Sequence, residues 1–294
     1  LKSPNEKERK MNSTTTTQDK YHEIKQRLLL LAEKHAKIKA VVAIGSSTRS
    51  SIPADEYSDL DLIIATDDTD SWLYGNLPAQ LGDVKVSFVE PTLGGGMERR
   101  VLYGGYLDVD MIVFTAEQFL NAVNDGNASC VMNRGYAVLH DRIGAAELLK
   151  QKINLEIHKS DFSEGEFQNL ASNFYFHTVW SAKKLLRGEL WSAKICLDSY
   201  LKNLLLKVLE VQTAAKNHAD VWHDGRFLDR WADEEIRAEL KNCFARYDKA
   251  DMKNALKSTH RLFARTAKET AALKNFAYPD EAEKFSKEFL EEKL

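Results

Sequence analysis

The sequence predicts an α+β chain in two parts, a mixed sheet flanked by helices in front and a helical bundle behind. Three observations carry this. Short runs of branched apolar residues, separated by glycine and polar turns, recur from Ile38 to Leu139. Beyond about Asp161 such runs stop and long 3.6-residue periods take over. After Gly188 only Gly225 follows. The boundary is placed near residue 157, giving a disordered tail over 1–19, a mixed α/β domain over 20–157 and a helical domain over 158–294.

Residues 1–19 are polar and include Thr14-Thr15-Thr16-Thr17, with Met11 read as the natural start. A helix is expected from about Tyr21 to Ala36, with Ile24, Leu28, Leu31 and Ala32 on one face. Ile38–Ile44 reads as a buried strand entering a tight turn at Gly45-Ser46. A polar loop through Pro53 and Asp55 leads to a strand over Asp59–Ala65. Its Leu60, Leu62 and Ile64 face one way, and Asp59, Asp61 and Ile63 the other. A short helix holds Trp72 and Leu73. Strands follow over Val84–Val89 and Val101–Phe114, interrupted by Gly94-Gly95-Gly96 and Gly104-Gly105. Glu98-Arg99-Arg100 reads as an ordinary polar loop rather than as a mobile lip of the site. A helix over Ala116–Val123, a strand over Tyr136–Leu139 and a helix over Ala145–Lys152 complete the front part, with His140-Asp141-Arg142 taken as structural. Behind it, helices are expected over Glu166–Leu186, Leu190–Val211, Glu234–Tyr247, Lys249–Leu273 and Glu281–Leu290.

The 294 residues suffice for two domains with their own cores. No apolar run approaches the ~20 residues a bilayer span needs, and the polar start carries no visible secretory signal. A net charge of −3 argues against nucleic acid as the main ligand. Cys130, Cys196 and Cys243 are odd in number and widely spaced, so buried free thiols in a cytoplasmic protein are expected rather than a disulfide framework or a metal site. The histidines form no His-x-x-x-His pair, so a zinc enzyme is not indicated. A monomer is the expectation.

The chemistry starts at Asp59-Leu60-Asp61. Two aspartates two apart in a strand share a face, roughly 6–7 Å apart. Bare, they repel by about 2–3 kcal/mol at an effective dielectric near 20. A divalent cation removes that cost, and Mg²⁺ takes one or two carboxylates plus substrate phosphates. Alone, the motif reads equally as a solvated strand end. Its context adds weight: Gly45-Ser46 precedes it by about a dozen residues, glycine lets a ligand approach the backbone, and Ser46 and nearby amides suit a phosphate oxygen. Asp108-Val109-Asp110 opens a later apolar run, and if that strand lies beside the first, up to four carboxylates converge. Asn173, His177, Trp180, Lys184 and Arg187 fall on one helix face. That face reads either as the lining of a cleft or as core (Trp180, Phe176) beside a solvated end.

Gly45-Ser46-Ser47-Thr48, the loop Pro53 to Ser58, Asp59-Leu60-Asp61 and Asp110 resemble the nucleotidyltransferase fold shared with DNA polymerase beta, and more closely the aminoglycoside 6-adenylyltransferase (streptomycin adenylyltransferase) family. Lys183 to Glu189, Asp224 to Leu228, Phe263-Ala264-Arg265 and Phe276 to Pro279 are similar to family segments in order and spacing, so the resemblance covers about residues 20–290. It implies a two-domain cleft with Mg·ATP held on Asp59 and Asp61. It implies that Asp110 either completes the metal site or takes the proton of the attacking hydroxyl. Gly45, Ser46, Arg49, Lys202 and Arg226 are implied to bind the nucleotide. The implied reaction transfers AMP from ATP to a hydroxyl of a small acceptor of the streptomycin type, releasing pyrophosphate.

The chain departs from the family on the acceptor side. Asn173 and Ile195 stand where the family has a glutamate and an aspartate, with Asp198 one turn later. Ser47 stands where related enzymes have arginine. Two alternatives therefore stay open: a different small-molecule or protein acceptor, and a nucleotide-binding relative without turnover.

Overall fold

The structure, a computed structural model, describes residues 16–49, 52–92, 96–154, 162–217, 221 and 224–294. The expected tail up to residue 15, Met11, Gly94, Gly95 and the boundary near 157 lie outside the described residues. The chain divides into two compact units, Leu1–His158 and Lys159–Leu294.

The first unit is built on six strands: β1 (Ile38–Ile44), β2 (Leu60–Thr66), β3 (Val84–Pro91), β4 (Met97–Tyr103), β5 (Leu107–Phe114) and β6 (Ala137–Asp141). They form one sheet in the order β3-β4-β5-β2-β1-β6. Among the described strands, β2 and β5 alone run parallel. Period-2 alternation gives each central strand two apolar faces. Leu60, Leu62 and Ile64 pack with Leu28 of helix α1 (Thr17–Lys34) and Trp72 of α2 (Thr69–Leu73). Ile63 and Ala65 pack on the opposite face with Phe119 of α3 (Ala116–Asn124), Met132 of α4 (Ser129–Met132) and Leu149 of α5 (Ala145–Lys152). Both faces of β2 are as the alternation predicts.

Helix α1 starts at Thr17, earlier than its apolar period suggests. Thr16 caps it by accepting from the Asp19 amide, while the Asp19 carboxylate accepts from the Thr16 amide. Glu98, Arg99 and Arg100 form part of β4 and are not a loop. Their alternation is strand-like: Val101 and Tyr103 are buried on one face, and Arg100 and Leu102 are exposed on the other. Arg99 fastens α2 to the sheet by donating to the carbonyls of Gly75 (2.6 Å) and Trp72 (3.2 Å). Asp141 accepts the amides of Ile143, Ala145 and Ala146 at the start of α5, and Arg142 donates to the carbonyls of Glu33 and His35 at the end of α1. Both are structural, as expected.

The second unit is helical: α6 (Glu164–Leu186), α7 (Leu190–Ile195), α8 (Leu201–Asn217), α9 (Leu228–Trp231), α10 (Glu234–Leu240), α11 (Lys249–Lys274) and α12 (Asp280–Lys293). Its core centres on Phe174 of α6, which stacks on Phe263 of α11 with ring centroids 3.6 Å apart. The single helix expected over 190–211 is interrupted by a π-turn over Cys196–Tyr200. The helix expected over 234–247 ends at Leu240, because Asp248 caps α11 and the chain must turn before it. Cys196 and Cys243 are buried free thiols. The side chain of Cys130 lies outside the described residues. No described helix is long and apolar enough to cross a membrane.

Candidate active site

β1 ends at Ile44, opposite Asp61 of its antiparallel neighbour β2. The chain then turns through a short 3-10 helix, Gly45–Thr48. Gly45 sits at φ 71°, in the left-handed region, and a Cβ placed there would stand 1.9 Å from Oδ2 of Asp61. The glycine thus serves two needs at once, the turn and the room for a carboxylate against the backbone. Ser47 and Thr48 tighten the turn by donating to the carbonyls of Ile44 (3.2 Å) and Gly45 (3.0 Å). Ser46 Oγ is buried without a hydrogen-bond partner. Arg49 follows, half-buried, at the end of the turn.

The loop before Asp59 is shaped by Asp55. Its carboxylate accepts from the Tyr57 amide (3.0 Å) and from Ser58 Oγ (2.9 Å). This Asx-type turn delivers Asp59 to the start of β2. Parallel pairing of β2 with β5 then sets Asp61 directly opposite Asp110. Asp59, Asp61 and Asp110 each present a carboxylate oxygen within 4.8 Å of the others. The convergence expected from the sequence therefore holds for three carboxylates. Asp108 is exposed at the strand start, outside this cluster, where its backbone is held by the Tyr21 hydroxyl.

Asp110 is the most enclosed of the three. Burial pushes its carboxyl up to about 7; Arg100 opposes the rise, while Asp108, Glu98 and Asp59 add to it. Its Oδ2 lies 3.4 Å from Arg100 Nη2, and its Oδ1 is buried without a hydrogen-bond partner. A buried, unpaired carboxylate oxygen is costly. Three oxygen donors of this kind suit a hard divalent cation such as Mg²⁺, and the unpaired Oδ1 is a ready ligand for one.

Lys202 and Arg226 belong to the second unit. Lys202 is buried, and its ammonium donates to the Leu197 carbonyl (3.0 Å) and Thr259 Oγ1 (2.9 Å). Burial lowers its pKa to about 8. Arg226 is exposed. On α6, Asn173 Oδ1 accepts from the Tyr200 hydroxyl at 3.0 Å, and the His177 ring lies 4.5 Å from that of Tyr200. Lys184 and Arg187 both pair with Glu189. Trp180 packs against the helical core, whereas Phe176, which one of the two readings placed there too, is 67% exposed. Ile195 is exposed, and Asp198 pairs with Lys194.

The sequence singled out Glu98-Arg99-Arg100 only as a loop or lip, because the preceding glycines suggested one, and so missed their place in a strand. The signal was available in the alternation Met97, Arg99, Val101, Tyr103 against Glu98, Arg100, Leu102.

The class of the protein, a nucleotidyltransferase, follows from its family. A model of the streptomycin adenylyltransferase family matches residues 19–293, and the chain belongs to that family. Among solved structures it is similar to an aminoglycoside 6-adenyltransferase from Bacillus subtilis, at 15% identity over 93% of this chain and 97% of that one, with a TM-score of 0.44. It is also similar to a nucleotidyltransferase-like protein from Exiguobacterium sibiricum, at 11% identity over 85% and 78%, with a TM-score of 0.38. A search of curated proteins gives no match.

Proposed function

We propose that this enzyme transfers AMP from ATP to a hydroxyl of a small acceptor of the streptomycin type and releases pyrophosphate. The observation that carries the proposal is the meeting of Asp59, Asp61 and Asp110 within 4.8 Å beside the side-chain-free Gly45. Asp59 and Asp61 would hold Mg²⁺, with Asp110 close enough to join them. Bound there, the ion would neutralise the phosphates and stabilise charge on the attacking and leaving oxygens. Gly45 and Ser46 would receive the triphosphate, a role supported by the unpartnered Ser46 hydroxyl. Arg49, Lys202 and Arg226 are proposed as further nucleotide contacts. For Lys202 this requires a phosphate to reach an ammonium with two donors already engaged. The acceptor oxygen would form its bond to the α-phosphorus as the α–β phosphoanhydride breaks in line. The hydroxyl proton would pass to Asp110 where that carboxylate stays outside the metal's shell, within reach of the acceptor. Alignment of donor and acceptor supplies most of the remaining rate.

Purified protein with Mg·ATP and streptomycin is expected to release pyrophosphate, and Asp61→Asn to abolish the release. No turnover across an aminoglycoside panel would remove the drug as acceptor while leaving AMP transfer in place. A second acceptor class is favoured by one observation: at the family's acidic positions, Asn173 is engaged by Tyr200 and Ile195 is apolar. For that reading, lysate treated with labelled ATP should yield a labelled protein or a different labelled small molecule.

A further inference from the structure

Cross-strand register arranges the active-site face of the sheet in rows. Phe88, Arg100, Asp110 and Asp61 stand opposite one another across β3, β4, β5 and β2. Glu90, Glu98, Ile112 and Ile63 form the next row, and Val86, Leu102 and Asp108 the row on the other side. Residues two apart in a strand share a face, so all three rows look the same way. Their outer end is apolar and open, with Val86 55%, Phe88 51% and Leu102 40% exposed.

Across these rows Arg100 pairs with Glu90, Glu98 and Asp110, with Asp108 on the same face. Its Nε lies 2.7 Å from Glu98 and 2.8 Å from Glu90, and its Nη2 3.4 Å from Asp110. Glu98 is 6% exposed. One guanidinium thus serves three carboxylates, two of them (Glu98 and Asp110) buried, and does not neutralise all three. The arginine side chain is 44% exposed, so solvent rather than protein lies on its outer side.

We infer that Glu90 and Glu98 recognise a guanidinium or ammonium group of the acceptor, with Phe88, Val86 and Leu102 as the apolar floor beneath its ring. Arg100 holds that position until the acceptor arrives. This rests on the proposed transfer to a cationic small acceptor. The chain's own guanidinium shows that a planar fork fits these carboxylates. The row of Glu90 and Glu98 lies two residues along the strands, roughly 6–7 Å, from the row of Asp110 and Asp61, so a hydroxyl on the same ring system would lie beside the transfer site.

The test is calorimetric binding of streptomycin, and separately of agmatine, to the full chain without nucleotide. Glu90→Gln and Glu98→Gln are expected to weaken streptomycin binding by about tenfold or more, as for a lost charged pair. Arg100→Met is expected to tighten it, and in Glu90→Gln ATP binding is expected to change less than about twofold. In turnover the acceptor KM rises and the ATP KM does not. Glu90 is 41% exposed, so Glu90→Gln folds even if Glu98→Gln does not. Unchanged streptomycin binding in Glu90→Gln overturns the inference. So does weaker binding in Arg100→Met, or failure of the wild type to bind either cation. Failure of the proposed transfer shows differently: streptomycin binding still follows Glu90 and Glu98, but no acceptor releases pyrophosphate.

Discussion

A methyl group at position 45 would meet an oxygen of Asp61 at 1.9 Å, on a backbone already at φ 71°. Gly45→Ala therefore does two kinds of harm. It costs about 1–2 kcal/mol for a left-handed alanine, and it displaces a carboxylate from its place. A displacement near 1 Å costs about a hundredfold in rate. Pyrophosphate release should fall by at least about that factor, while the melting temperature drops only modestly. A Gly45→Ala enzyme with near wild-type turnover would refute this reading of the turn. These residues were legible in the sequence because a glycine turn and an Asp-x-Asp are local patterns. The environment of Asp110 was not, since its burial and its contact with Arg100 depend on pairing across strands.

At the scale of elements, the strands and long helices follow their apolar periods closely, and β1 and α5 match to the residue. Deviations fall where a local hydrogen bond or a tertiary contact wins. Thr16 starts α1 early, Asp248 starts α11 after an unexpected break, and the π-turn at Cys196–Tyr200 inserts into what reads as one helix. The packing of α11 on α12 carries a pH-dependent contact invisible in sequence. His260 Nε2 lies 2.8 Å from Ser286 Oγ, and burial lowers the His260 pKa to about 4, with Glu283 opposing and Lys287 and Lys268 adding to the drop. The unfolded state, near 6.5, binds the proton more readily, so the folded chain loses stability as pH falls below that value. The single-site effect is roughly 2 kcal/mol between pH 7 and 5. Denaturant midpoints at these two pH values should differ for the wild type and converge for His260→Gln. An unchanged pH dependence in His260→Gln would assign the effect elsewhere.

At the scale of the whole molecule, two compact units share one chain, and the change from short apolar runs to long helical periods marks them in the sequence. Family membership came from the order of weak motifs along nearly the entire chain, which the match over residues 19–293 supports. The acceptor was never legible in that way. Recognition of a small molecule depends on which charges stand uncovered after folding, and Glu90, Glu98 and Arg100 are brought together only by the register of β3 with β4. The central claim is that the three aspartates carry out AMP transfer to a small hydroxylated acceptor. Mass spectrometry of streptomycin after incubation with Mg·ATP and enzyme tests it most directly. The expected result is an AMP adduct of streptomycin with the wild type and none with Asp61→Asn. An equal yield of adduct from Asp61→Asn, or no adduct on streptomycin or any other acceptor offered to the wild type, would contradict it.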